Sequence, residues 1–348
     1  MAKPSVPASS AGAGISGIGG GEGGIGGGEG GPGIGGDGPV GRSGKIGGEI
    51  GGSKIDEHYT DWLNIWAELT LKVGQRRGYD RMVGNVSELT DMNTTHEAYT
   101  LYVPLQFWFC RNNGLALPLI ALQYHDVRVT FKFRDVRQCT NGVARNDIKF
   151  KDAVLLIDYV YLDSEERKRF AQASHEYLIE QLQFTGVETI SASAANKVRL
   201  NFNHPVKELV WVVREDAMVG TGVLQHFNWS SAAGTQDGTG DRNIYDAPAS
   251  VRKVSDAKLQ LNGHDRFAQR LGSYFNLVQP YQHHTRVPSD GGVFVYSFAL
   301  KPEEHQPSGT CNFSRIDNAV LNVNFWHGSG GAHNLRVYAV NYNVLRVM

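Results

Sequence analysis

No long apolar run occurs anywhere in this sequence. A bilayer-spanning helix needs about 20 consecutive apolar residues, and the strongest apolar stretches, around 154–157 and 209–213, are far shorter. No charged segment followed by an apolar one opens the chain, so a secretory signal is not expected. The expectation is a soluble chain made in the cytosol. Surplus charge is missing too. With 34 Lys and Arg against 35 Asp and Glu, the formal net charge is −1. That balance gives no global attraction to nucleic acid or anionic membrane, and no basic arm stands out, so no direct nucleic-acid contact is expected. Cysteine is scarce. Cys110, Cys139 and Cys311 are far apart and odd in number. Without a CxxC pair there is no zinc knuckle or redox motif, and reduced thiols of an intracellular protein are expected.

Signatures of catalysis and of cofactor binding are also lacking. There is no GxSxG nucleophile elbow, no HxxxH or HxH, and no GxxxxGK[ST] loop. His283 and His284 form the only adjacent histidine pair among 12 histidines. With no accompanying ligand pattern they are expected in a surface loop next to Pro288 rather than on a metal. Glu303 and Glu304 are adjacent carboxylates. On an extended segment neighbours point to opposite sides, so a glycosidase pair across a cleft is not expected. The reading is that this chain is not an enzyme and has no catalytic, metal or cofactor site.

What the sequence does have, first, is glycine. Of 42 glycines, 23 lie between Gly12 and Gly52, and the unit IGGGEGG recurs at Ile18 and Ile25. Glycine at that density loses much entropy on ordering and buries little. Residues 1–45 are therefore expected to be disordered. Beyond them the pattern has period two. Val127, Val129, Phe131 and Phe133 alternate with polar residues, and the stretches 198–202, 257–261 and 321–325 do the same, which reads as half-buried strands. Longer apolar or mixed runs at 206–213, 293–300 and 335–347 suit strands buried on both faces or at a subunit contact. Asn113-Gly114, Asn141-Gly142, Asn262-Gly263 and the Gly291-Gly292 pair mark turns.

Helical pattern is scarce. Residues 163–174 carry a capping Asp163 or Ser164 with Glu165 and Glu166 in the first turn. Trp62, Ile65, Trp66 and Leu69 have helical spacing. Two β-rich stretches flanking one short helix predict two antiparallel β-sandwiches joined near 163–174. Phe107-Trp108-Phe109 and Trp211 fall within strand patterns and are expected in a core, or at an obligate subunit contact. Sequons occur at Asn85, Asn93, Asn228 and Asn312. Asn228 opens a Gly-, Ser- and Thr-rich stretch to residue 240 that reads as a long exposed loop.

Several of these stretches resemble one family. YDRMVGN at 79–85, PLQFWFC at 104–110, GLALPLI at 114–120, YLDSEER at 161–167, NHPVKELVW at 203–211 and NGHDRF at 262–267 are similar to the major capsid proteins of nucleocytoplasmic large DNA viruses. The run YSFALKPEEHQPSGTCNFSR at 296–315 resembles that family's C-terminal signature, with the iridovirus, phycodnavirus and marseillevirus branches nearest. The resemblance covers about 46–348. It implies an all-β double jelly roll, assembled as homotrimers of pseudo-hexagonal outline that tile an icosahedral capsid around an internal membrane. The partners it implies are further copies of the chain and neighbouring capsomers, then minor capsid proteins and internal viral membrane proteins. The location it implies is the virion, assembled in host cytoplasm. In the family, a long β-rich segment precedes the strand that corresponds to 50–56. Here the glycine tract stands in that place, so the first jelly roll, 46–174, is expected to be incomplete. The second, 175–348, is expected to be whole. Jelly rolls also serve sugar-binding modules and cupin enzymes. A carbohydrate-binding β-sandwich is therefore the alternative, and the cupin lacks its clustered histidines.

Overall fold

The computed structural model describes residues 44–91, 95–134, 139, 151–191, 195–216, 226–229, 253–289, 291–325 and 332–347. The expected disordered stretch to residue 43 therefore lies outside the described residues, as do the turn at Asn141-Gly142, the sequon Asn93 and the loop at 230–240.

The first strands are a hairpin. β1 (Lys45–Ile50) and β2 (Ser53–Tyr59) pair antiparallel. Gly51 and Gly52 between them have φ of 58° and 77°, the positive-φ pair that a two-residue type I′ turn requires. The expected single strand at 50–56 is thus the last residue of β1, the turn and the first half of β2. β3 (Val127–Lys132) pairs with β1 on its other side, giving the order β2-β1-β3. Gly47 and Gly48 lie within β1, so the end of the glycine-rich stretch does form strand.

Helix is more plentiful here than the sequence pattern suggested. α1 (Thr60–Thr70) buries Trp62, Ile65, Trp66 and Leu69 on one stripe, as their spacing predicts. α2 (Val73–Val83) was not expected, because Gly74 and Gly78 lower its propensity. It is ended by Gly84 at φ 81°, with the Asn85 N–H bonded to the Asp80 carbonyl at 2.7 Å. α3 (Ser87–Thr90) and α4 (Trp108–Arg111) are single turns. Phe107-Trp108-Phe109 therefore enters a helical turn, not a strand. Phe107 and Trp108 are buried as expected, because Phe107 stacks on His58 of β2 at 4.5 Å and Trp108 packs near Tyr177, with ring centroids 6.1 Å apart. α5 (Ser164–Gln172) is the capped helix foreseen, with Asp163 accepting from the N–H groups of Glu165 and Glu166 at 3.0 and 2.8 Å. It buries none of its residues. It connects the two halves of the chain but is not where they meet.

The second half is a two-sheet sandwich. Its strands are β4 (His175–Ser191), β5 (Asn196–Arg199), β6 (Pro205–Glu215), β7 (Val254–Leu261), β8 (His264–Asp265), β9 (Arg270–Leu271), β10 (Val293–Ser297), β11 (Cys311–Asn312), β12 (Ala319–Phe325) and β13 (Ala332–Val347). One sheet runs β10-β6-β13-β4 with β11 also on β6; the other runs β5-β12-β7-β8 with β9 also on β7. All pairings are antiparallel. Asn262 and Gly263, at φ 50° and 82°, make the expected hairpin turn between β7 and β8. A short π-helical stretch, Tyr274–Val278, leads into α6 (Gln279–His283).

The apolar run in β6 has a clear physical basis. Leu209, Trp211 and Val213 point into the sandwich, where they meet Val254, Ala257 and Leu259 of β7 and Leu321 and Val323 of β12. Val210 and Val212 point the other way and pack with Trp62, Ile65, Trp66 and Leu69 of α1. β10 and β13 divide likewise, with Phe294 and Val337 in one core and Val293, Val295, Tyr338 and Val340 in the other. The alternation of side chains across a strand thus feeds two cores, and the sheet is covered on both faces.

Candidate functional site

Among the described residues, no group of three or more His, Cys, Asp or Glu could hold a metal. What they hold is a seam between the two halves, fastened by buried charges. Asp61, at the start of α1, is fully buried. Its carboxylate is bonded by Arg336 from β13 and by Arg134 at 3.2 Å. Arg214 of β6 stands beside them. Burial, and then the charge of Arg336, pulls its guanidinium down to about 10. Trp62 and Tyr338 pack with ring centroids 5.3 Å apart next to this cluster.

Glu68, further along α1, ties the same helix to the second half. It accepts from the Ser289 hydroxyl at 2.7 Å and from the Ser289 N–H at 3.2 Å, and it is bonded by Arg76. Burial would raise this carboxyl, but Arg76, Ser289 and Arg286 together hold it below the usual carboxylate range. Asp56 of β2 accepts from the Leu182 N–H of β4 at 3.0 Å and lies 3.0 Å from the His58 ring.

A second fastening runs through Glu180 of β4. It receives Lys207 and Arg111 at 2.7 Å each, with His305 at 3.7 Å. Lys207 is fully buried. Burial lowers its ammonium, opposed by Glu180 and Glu208. One carboxylate therefore joins α4, β4, β6 and the loop at 298–310.

That loop is the strongest stretch of the sequence resemblance, and it is clamped. His284 lies between two carboxylates, 3.0 Å from Glu208 through Nε2 and 3.0 Å from Glu303 through Nδ1. The Glu208 contact is a close ion pair rather than an aligned hydrogen bond; the Nδ1 contact is a hydrogen bond. Burial would lower the imidazole, but the two carboxylates push it up to about 9. Glu303 also accepts from the Thr285 N–H at 2.7 Å and from its hydroxyl. Burial alone would raise Glu303, but His284 and Thr285 bring it below the usual range. His284 therefore corrects the surface-loop expectation: its side chain is buried between the loop and β6. The signal was invisible in sequence because its partners stand 76 positions before and 19 after it. Glu303 and Glu304 do diverge as expected. Glu303 turns in to His284, while Glu304 pairs with Lys301 at 2.9 Å on the surface.

Three sequons are described. Asn85 is exposed and donates to Asp80 at 3.0 Å. Asn312 caps a helical turn by accepting from the Ser314 N–H at 3.1 Å. Asn228 is buried together with Trp229, correcting the exposed-loop expectation at that position. The indole of Trp229 sits in the seam core and donates to Asn64 of α1 at 3.3 Å. The polar residues that follow hid this anchor. Cys110 and Cys311 are free thiols, and burial pushes the Cys110 thiol up to about 11.

Sequence models of known families match both halves of this layout. "Large eukaryotic DNA virus major capsid protein" matches residues 166–348, and "Major capsid protein N-terminus" matches 45–163. The chain belongs to the major capsid proteins of large eukaryotic DNA viruses. The major capsid protein of Pyramimonas orientalis virus is 50% identical over 324 residues, covering 86% of this chain and 72% of that protein. That of Paramecium bursaria Chlorella virus 1 is 43% identical over 337 residues, covering 86% and 75%. The solved PBCV-1 virus capsid matches this capsid protein with a TM-score of 0.68 at 38% identity, over 87% of this chain and 81% of that one. The Faustovirus major capsid protein has a TM-score of 0.64 at 13% identity, a likeness of fold. The jelly-roll capsid fold and the virion are thereby established for this capsid protein, and its relatives are structural proteins.

Proposed function

We propose that this chain is a coat-building subunit that associates as homotrimers of pseudo-hexagonal outline, and that these tile an icosahedral shell around a large double-stranded DNA genome. The observation that carries the reading is the close match to a solved virus capsid across both halves of the chain. The buried seam supports it physically, since a rigid subunit holds its contact surfaces in fixed relation. In this reading residues 46–174 and 175–348 are the two jelly-roll units and 1–45 a glycine-rich tail. The subunit performs no catalysis and needs no cofactor. Its partners are other copies, neighbouring capsomers, minor capsid proteins and proteins of an internal viral membrane, and assembly takes place in host cytoplasm. Family membership favours this reading over a sugar-binding module. Light scattering of the purified chain over a range of concentrations tests it. A mass three times that of the 38.2 kDa chain is expected. A monodisperse monomer at every concentration would contradict it.

A further inference from the structure

The tip of the first hairpin and the loop leading into β3 enclose a cleft of about 330 Å³, lined by Glu49, the Gly51-Gly52 turn, Tyr124, His125, Asp126 and Arg128. That volume lies at the low end of small-ligand clefts, roughly 300–1,000 Å³. Backbone contacts fix its walls. The Gly51 N–H donates to the Asp126 carbonyl at 3.0 Å, and the His125 N–H donates to the Leu122 carbonyl at 2.8 Å. The His125 ring lies so close over Gly51 that a Cβ there would meet its Nδ1 at 2.8 Å. Glu49 of β1 stands opposite Arg128 of β3 in the ladder, so the two share one face of the sheet. A bulge in the pairing of β1 with β2 falls between Gly48 and Glu49, and such irregularities re-aim a side chain.

The polar groups around the cleft are not spent on the fold. The side chains of Glu49, Tyr124, Asp126 and Arg128 make no hydrogen bond or ion pair with any described residue, although Glu49 and Arg128 are cross-strand neighbours of opposite charge. Tyr124 is 88% exposed. Each group alone is ordinary on a surface; together they converge on one concave place. The chemistry of the lining selects the ligand. No three acidic or imidazole groups among the described residues are placed to hold a metal ion. Two carboxylates against one guanidinium disfavour phosphate and nucleic acid. The lack of aliphatic side chains in the lining disfavours a lipid or an apolar peptide. A neutral polyhydroxyl ring fits. A carboxylate accepts from two adjacent hydroxyls, and a guanidinium donates to two, each in one plane. The Tyr124 ring offers a flat apolar face to the C–H side of a sugar, with a hydroxyl at its edge.

We propose that the cleft at the tip of β1 and β2 binds a neutral saccharide, a pyranose residue at the end of a glycan, stacked on Tyr124 and hydrogen-bonded by Glu49, Asp126 and Arg128. The site lies within one chain, so it holds whether or not copies assemble into a shell.

The probes are the methyl glycosides of glucose, galactose, mannose, fucose, xylose and N-acetylglucosamine, each added to the full chain and read by saturation-transfer NMR. Transfer to the ring protons of at least one glycoside is expected, with a Kd on the order of 1 mM for so small a contact. Tyr124→Ala, and separately the pair Glu49→Gln, Asp126→Asn, should weaken that binding about ten-fold or more, the worth of stacking or of hydrogen bonds to charged groups. None of these side chains is buried, so both variants should melt like the parent. Arg128→Gln, at a further exposed position, takes the place of either one that melts lower. Calcium chloride and sodium sulfate at millimolar concentration should not compete. Three results would overturn the proposal: no transfer to any glycoside of the set, binding that survives in the folded variants, or displacement by calcium or sulfate, which would mark an ion site.

Discussion

At the scale of single residues, His284 is the most informative side chain. An imidazolium between Glu208 and Glu303 is stabilised relative to the unfolded chain, where histidine titrates near 6.5. Its folded value, about 9, is raised. The stability it contributes is therefore complete below about 6.5 and fades as pH rises through 9. Glu303 works in the opposite sense. Its value is depressed, so its contribution is present above the ordinary 4.5 and is lost as pH falls through the folded value. The clamp should be strongest between these limits, in mildly acidic solution. Chemical denaturation at a series of pH values should show stability declining from pH 6.5 to 9. The variant His284→Gln should lower stability by about 3–5 kcal/mol at pH 6, because it leaves buried carboxylates without their cation, and should flatten that alkaline decline. A variant that keeps the parent's pH profile would show that the clamp contributes nothing.

At the scale of elements, α1 is the fastener of the molecule. Its apolar stripe supplies Trp62, Ile65, Trp66 and Leu69 to the seam core, and its first turn supplies Asp61. Removing that charge leaves Arg134, Arg214 and Arg336 facing one another. Asp61→Asn should cost about 3–5 kcal/mol, read as a lower denaturation midpoint with earlier proteolysis of the first half. An unchanged midpoint would contradict the fastening role. The stripe was legible in the sequence because four large residues recur at helical spacing. The strands β7 and β12 were legible from their period of two, and β6, β10 and β13 from their longer apolar or mixed runs. The partner of α1 was not, because alternation shows that β6 has two apolar faces without showing what covers each. α4 was misread as strand because three successive aromatics carry no period. α2 was missed because its two glycines weaken it and its gains come from Arg76 bonding both Asp80 and Glu68.

At the scale of the whole molecule, the two halves differ in finish. The second is a closed sandwich with a continuous core. The first contributes one three-stranded sheet among its described residues, α1 at the seam, and exposed apolar segments. The sequence resemblance had already implied that contrast through the glycine tract, and the exposed side chains give it physical form. A coat subunit needs rigidity within itself and adhesive surface toward its neighbours. The charge-fastened seam provides the first, and the next level of assembly must supply the second. Three-dimensional reconstruction of the purified assembly by electron cryomicroscopy tests this most directly. The account predicts three copies around a threefold axis with a hexagonal outline, each copy keeping α1 packed on β6, β10 and β13. An assembly without threefold symmetry, or copies in which α1 leaves that sheet, would contradict it.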